Sequence, residues 1–278
     1  MKGNVLNKQM DMSKNSAQQV SKDWLDNIPK QLHGWLVPSL LLVIWQVAGG
    51  FGWISEKMLP TPLVIATQFV ELIISGELID HLEISLFRAM LGFILGGLIG
   101  LFLGLSTGVG KMAERTLDPT LQMLRTVPIL ALIPLFILWF GVGEFSKVLM
   151  ISLGAFFPMY VNTFLGIRNV DLKLYEVSRI FQYTRWQQLI RLIIPAALPN
   201  ILLGIRLSLG VSWLVLVVAE MMGTSAGLGY MIQDARAYSQ TDIVFVGIIL
   251  FAVIGKLSDS IVRVLESKWL RWRDTFKG

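Results

Sequence analysis

Apolar residues run along this chain in blocks too long for the core of a soluble domain. A transmembrane helix needs about 20 mostly apolar residues. Six stretches meet that requirement, roughly Leu36–Trp53, Ala89–Val109, Leu121–Phe140, Val148–Ile167, Ile201–Met222 and Ile243–Val262. A segment in lipid must satisfy its own backbone hydrogen bonds, so each is read as a helix. The alternating pattern of a membrane β-barrel is absent. The pattern therefore predicts an all-α integral membrane protein, with six transmembrane helices over residues 35–264 between a polar tail (1–34) and a short C-terminal tail (265–278). The first tail lacks the apolar run and small-residue site of a cleaved signal peptide, and a surface helix is expected around Trp24.

Composition agrees and removes several function classes. Hydrophobic residues make up 54% of the chain and charged residues 15%, where ordinary globular domains carry roughly 25% charged. With no Cys and only His33 and His81, thiolate and His-rich metal sites are excluded, so no metal and no cofactor is expected in this chain. The net charge of +5 does not point to nucleic acid, because most of the chain is too apolar to expose a basic patch. The distribution of that charge sets a topology. With the N-terminus in the cytoplasm, 17 of the 24 Lys and Arg fall in cytoplasmic segments and 3 in external ones. Both termini are expected inside.

Within the spans, Gly92, Gly96, Gly100, Gly104 and Gly108 lay a bare stripe along one helix face, and Gly204, Ser208 and Ser212 repeat the device. Such a stripe serves packing within one subunit or a seam between two. Pro128 and Pro134 in the third span and Pro158 in the fourth should kink their helices. Charges inside spans are functional candidates. Arg125 and Arg206 lie a turn or two inside the cytoplasmic end, where each either snorkels to the interface or meets an anionic substrate. Glu220 lies near the outer end of the fifth span and Lys256 in the second half of the sixth.

The longest cytoplasmic connection, residues 168–199, is amphipathic rather than loose. Leu174, Val177 and Phe181 share one face of a short helix, and Trp186, Leu189, Ile190 and Ile193 share one face of a second. Thr184 with Gln187 forms a possible capping box opening the second helix, and Pro195 should end it. The result is a helix–turn–helix that either docks a cytoplasmic partner or rests on the lipid surface.

These residues resemble a known family. Glu176-Val177-Ser178, then Gln182, then Leu192-Ile193-Ile194-Pro195 resembles the E-A-A…G…I-x-L-P loop of ABC importer permeases. Glu176 and Pro195 match outright, Leu192 and Ile194 are conservative, Val177 and Ser178 replace two Ala, and Gln182 replaces the Gly that eases the turn. The run from Leu121 to Pro128, Ala131-Leu132-Ile133-Pro134-Leu135, Leu138-Trp139-Phe140-Gly141, Ala219-Glu220 with Gly227-Leu228-Gly229-Tyr230, and Gln240-Thr241-Asp242 resemble the nitrate/sulfonate/taurine branch, nearest to its aliphatic sulfonate permeases.

The resemblance implies a type I ABC importer permease of the bacterial plasma membrane. It implies three partners: a second permease copy, an ATP-binding subunit docked on the coupling loop, and an extracytoplasmic substrate-binding protein. Nitrate, taurine, bicarbonate or a thiamine precursor are alternative cargoes. No Walker-type phosphate loop is present, so ATP hydrolysis is expected in the separate subunit and not in this chain. Of the rivals from other classes, a membrane enzyme would need converging titratable groups, and an ion-coupled transporter or channel would need intramembrane acids.

Overall fold

The computed structural model describes residues 33–270, all helix, turn and loop; the expected helix around Trp24 and the last residues of the C-terminal tail lie outside the described residues. The chain divides into two compact units, Met1–Ile65 and Ala66–Gly278. The first contains α1 (His33–Gly50) and the start of α2 (Pro62–Ile74). The α2 N-terminus has Pro at its first position, where a missing N–H costs nothing. Gln46 of α1 accepts from the Leu63 N–H at 3.0 Å. The apolar part of α1 stops at Gly50, so Trp53 lies beyond it in a turn rather than inside a span.

The second unit carries four long apolar helices. They are α3 (Glu77–Val109), α6 (Glu144–Arg168), α9 (Ile194–Met221) and α11 (Thr241–Trp269). Between α3 and α6 lie α4 (Lys111–Arg125), a 3-10 turn (Ile129–Leu132) and α5 (Ile133–Phe140). The short helices α7 (Leu172–Ile180) and α8 (Arg185–Gln188) precede α9, and α10 (Leu228–Ala237) follows it.

The glycine stripe decides the packing. A Cβ on Gly92 would meet Ile151, on Gly100 the Phe156 carbonyl, and on Gly108 Ile167, so the whole α3 stripe lies against α6. The second stripe packs on the same helix from the other side, with the Ser208 hydroxyl donating to the Ala155 carbonyl at 2.7 Å. Both stripes therefore serve packing within this chain, and α6 is the central helix. Two apolar clusters lie along it. One joins Met150 and Ile151 to Ile133, Phe136 and Leu216. The other joins Met159 and Ile167 to Ile193, Ala197 and Ile201.

The same contacts fix direction. Partners rise together from Gly92–Ile151 to Gly108–Ile167, so α3 and α6 are parallel; Gly154 meets Val215 and Gly166 meets Asn200, so α6 and α9 are antiparallel. Parallel helices need a return path between them. The segment from Lys111 to Phe140 supplies it as a broken span, bent by 80° between α4 and the Ile129–Phe140 stretch. Pro128 leaves the ladder without a donor at that break. The second unit thus contains four long apolar helices and one broken apolar pair, up to five crossings, with the 168–199 segment at the same end as the last turns of α11.

Several expectations need correction. The second span is not Ala89–Val109 but 33 residues from Glu77, which puts Glu83 on the helix rather than in an external loop and Arg88 well inside it rather than at the edge of a span. The last helix runs to Trp269, past the expected end of the span at Val262. Pro195 does not end its helix. The chain from Arg185 to Met221 runs on as one 37-residue helix. Leu189–Ile193 widens into a π-turn in which the Ile194 N–H reaches the Leu189 carbonyl. A proline lacks an N–H and crowds the carbonyl four residues back, and the wider turn relieves both.

Candidate functional site

The hairpin at residues 168–199 is built by its turn. Gln182 adopts φ 51°, the left-handed conformation. Its N–H donates to the Arg179 carbonyl and the Tyr183 N–H to the Ser178 carbonyl, each at 3.0 Å. This pair of bonds is the Schellman termination of α7. The expected capping box then starts the next helix. Thr184 Oγ1 accepts from the Gln187 N–H and Gln187 Oε1 accepts from the Thr184 N–H. The turn geometry that a Gly would ease is therefore retained with Gln182.

The expected apolar faces divide in two. Ile193 is buried and Leu192 half-buried against the cluster around Met159 and Ile167. Ile194 and Pro195 are half-buried at the start of α9. Ser178 is buried. Phe181, Trp186 and Ile190 instead stand exposed, as does Ile180. Glu176 is exposed, and among the described residues no ion pair joins it to Arg179 or Arg185. Val177 lies in α7, its side chain outside the described set. The hairpin is anchored by one edge and presents apolar side chains and an exposed carboxylate on the other.

The two intramembrane arginines differ. Arg125 is exposed in the last turn of α4, just before the break. The helix that carries it buries no residue. Polar links hold it to α6: Arg168 to Glu114 at 3.1 Å and the buried Tyr160 hydroxyl donating to Asp118 at 2.7 Å. Arg206 on α9 is instead committed to α11. It donates to Glu266, and its Nε stands 3.2 Å from Asp259 Oδ1, while Arg263 pairs with the Oδ2 of the same carboxylate. That Nε contact is not aligned for a hydrogen bond. The structure does not bring Arg125 and Arg206 into one site.

At the opposite end lies a polar network that sequence reasoning missed. Arg88, 4% exposed, donates through Nε and Nη2 to both oxygens of Glu144 at 2.6 Å. Its Nη1 donates to Glu220 Oε1 and to the Ala226 carbonyl, each at 2.7 Å. Lys147 adds a contact to Glu144 at 2.9 Å. Three successive amides at the start of α10 are taken by side chains of other helices. The Gly227 N–H donates to His81 Nδ1, the Leu228 N–H to the Ser85 hydroxyl, and the Gly229 N–H to Glu220 Oε2. Ser85 in turn donates to Glu220. Gly227 has φ +114°, and a Cβ there would strike the Glu220 carboxylate. The sequence signal was present: His81, Ser85 and Arg88 continue the glycine stripe upward at helical spacing.

The comparisons with known proteins agree with this architecture. Residues 96–271 match the family described as binding-protein-dependent transport system inner membrane component. A putative aliphatic sulfonates transport permease protein, SsuC, of Bacillus subtilis (strain 168) is 59% identical over 90% of this chain and 92% of its own length. The Escherichia coli (strain K12) protein of the same name is 46% identical over 92% and 95%. The Escherichia coli taurine transport system permease protein TauC is 34% identical over 84% and 87%. Among solved structures, an amino acid ABC transporter chain shares the fold at TM-score 0.58 and 21% identity, over 74% of this chain and 98% of that one. An inward-facing chain of the MetNI methionine ABC transporter does so at 0.53 and 20%, over 65% and 92%. This chain belongs to the inner-membrane components of binding-protein-dependent transport systems, the permease subunits of ABC importers.

Proposed function

We propose that this chain is the permease of an ATP-driven importer of aliphatic sulfonates. The observation that carries the substrate is the gradient of likeness: 59% and 46% identity to two proteins named for aliphatic sulfonates, against 34% for one named for taurine and 32% for one named for nitrate. Two copies form the path. A separate ATP-binding subunit receives the exposed side of the hairpin around Glu176 and Trp186. An extracytoplasmic binding protein delivers substrate at the Arg88 end. The α1 helix supplies the sixth crossing, and both termini lie in the cytoplasm, following the excess of Lys and Arg in the tails and hairpin.

The architecture supports alternating access. The hairpin is continuous with α9 through the π-turn, so displacement of the knob tilts a helix that spans the bundle. The first half of the broken span, α4, offers the element that moves most easily, because polar links rather than a buried apolar face hold it. Arg125 stands beside the break, and its guanidinium fork suits the three acceptor oxygens of a sulfonate. Transport assays in proteoliposomes containing the chain with its ATP-binding subunit and binding protein test the substrate. Butanesulfonate should be taken up on ATP addition. Uptake of taurine or nitrate with none of alkanesulfonates would reject the assignment.

A further inference from the structure

The cap on α10 contains one arm that a proton can disconnect. Of the three acceptors, the Ser85 hydroxyl does not titrate, and Glu220 faces Arg88 and Ser85. The third is an imidazole nitrogen. The Gly227 N–H donates to His81 Nδ1 at 3.1 Å, which requires the lone pair on Nδ1 and the ring proton on Nε2. Histidine changes charge between about pH 5 and 8. A doubly protonated ring presents two donors and cannot accept from an amide.

The surroundings suit a switch. His81 is 14% exposed, and its Nε2 lies 3.9 Å from Glu77 Oε1, one helical turn back. From α9, Glu220 takes the Gly229 N–H of the same amide run, and Arg88, on the helix of His81, is engaged with Glu144 and Glu220. Glu144 and Lys147 of α6 stand on the far side of that guanidinium. From α10, the Tyr230 ring lies 5.8 Å from the imidazole. Gly227 ends a short connection from α9 that begins at Gly223, and both have left-handed φ, +103° and +114°. The connection therefore has a glycine at each end on which to turn.

We propose that the His81–Gly227 contact is a proton-operated latch on α10, closed at neutral pH and opened by acid. When His81 takes up its second proton, the Gly227 N–H loses its partner and that arm of the cap opens, while Arg88 still holds the Ala226 carbonyl. Ser85 and Glu220 continue to hold Leu228 and Gly229. The latch rests on the fold of this network and not on the identity of the cargo, so a wrong substrate leaves it standing.

Hydrogen exchange of the full importer in lipid nanodiscs tests it, corrected for intrinsic rates. Between about pH 7.5 and 5.5, across the histidine range, protection of the Gly227 amide should fall about tenfold, the scale of one lost hydrogen bond, while Gly229 holds. In His81→Gln the side-chain carbonyl still accepts and cannot titrate, so the fall should vanish. No fall in the wild type, or an equal fall in His81→Gln, overturns the latch. Nitrogen-15 spectra of labelled histidine give a check that needs no variant at His81. His33 is the other histidine and is assigned by His33→Gln. The Nε2–H tautomer is expected at neutral pH, and an Nδ1–H tautomer there would overturn the proposal.

Discussion

Arg88 and Glu220 are 132 residues apart in sequence and 2.7 Å apart in space, with 4% and 0% of their side chains exposed. The pair ties the first turns of α3 to the end of α9, and through Glu144 to the start of α6. Removing one partner of a buried pair leaves an uncompensated charge and costs about 3–5 kcal/mol, while replacing both by apolar groups costs far less. Arg88→Leu should lower the thermal unfolding temperature of the detergent-solubilised complex sharply. The double variant Arg88→Leu/Glu220→Leu should lose less than the sum of the two single changes. Strict additivity would show that the two side chains do not act as a pair.

Gly96 and Gly97 are neighbours with opposite tolerance. A Cβ on Gly96 would overlap the Ser152 carbonyl, whereas one on Gly97 meets only Phe93 Cε2 at 3.9 Å. Backbone cannot yield as a flexible side chain can, and forcing extra volume into a packed interface costs about 1–3 kcal/mol. Gly96→Ala should therefore destabilise by that amount and reduce membrane yield. Gly97→Ala should be neutral or slightly stabilising, because Ala is the better helix former. Equal unfolding temperatures for the two variants would contradict the α3–α6 register.

Much of this architecture was legible in the sequence, and the misses share a physical cause. Long apolar blocks identify spans because lipid leaves the backbone no alternative. Local chemistry was equally plain: the Thr184–Gln187 capping box formed as its spacing indicates. Whatever depends on partners distant along the chain was not legible. Arg88 looked like a charge at the edge of a span, because nothing local shows that Glu144 and Glu220 will reach it. Arg206 looked equivalent to Arg125 until α11 placed Asp259 and Glu266 beside it. Pro195 marked a helix end by its own preference, and the π-turn that absorbs it is a property of the surrounding packing.

Gln182 holds a left-handed conformation that costs an ordinary residue roughly 1–2 kcal/mol and a glycine little. Gln182→Gly should be neutral to stabilising by about 1 kcal/mol, since glycine also gains freedom in the unfolded chain. Gln182→Val places a β-branched side chain at positive φ and should destabilise the turn. The readout is protection of the Tyr183 amide, whose bond to the Ser178 carbonyl closes the turn. Greater protection in the Val variant than in the Gly variant would reverse this reading.

The two intramembrane arginines should separate experimentally. Arg206 pairs with carboxylates that are themselves partly exposed, and such contacts contribute about 0.2–1 kcal/mol each. Arg206→Glu should weaken the α9–α11 contact, and Glu266→Arg in the same chain should restore it. Arg125→Gln removes no ion pair seen in the structure and should lower uptake with an unchanged unfolding temperature. Normal uptake in Arg125→Gln would remove that residue from the path.

Glu176 offers the cleanest test of coupling, because it is exposed on α7 and forms no ion pair to Arg179 or Arg185 among the described residues. A charge reversal at an exposed position of this kind changes stability by no more than about 0.5 kcal/mol. Glu176→Lys should therefore insert and fold as the wild type does. If the carboxylate meets the ATP-binding subunit, reversal places like against like at that contact, which costs several kcal/mol when water is excluded. The expected result is normal membrane content, weakened co-purification of the ATP-binding subunit, and reduced stimulation of ATP hydrolysis by the loaded binding protein. Glu83→Lys is the matched control. Glu83 is also an exposed carboxylate on a helix, but it lies on α3 at the opposite end of the bundle. Its reversal should leave co-purification intact. Wild-type coupling in Glu176→Lys would mean that the exposed edge of the hairpin, with Phe181 and Trp186, rests on lipid rather than on a partner protein.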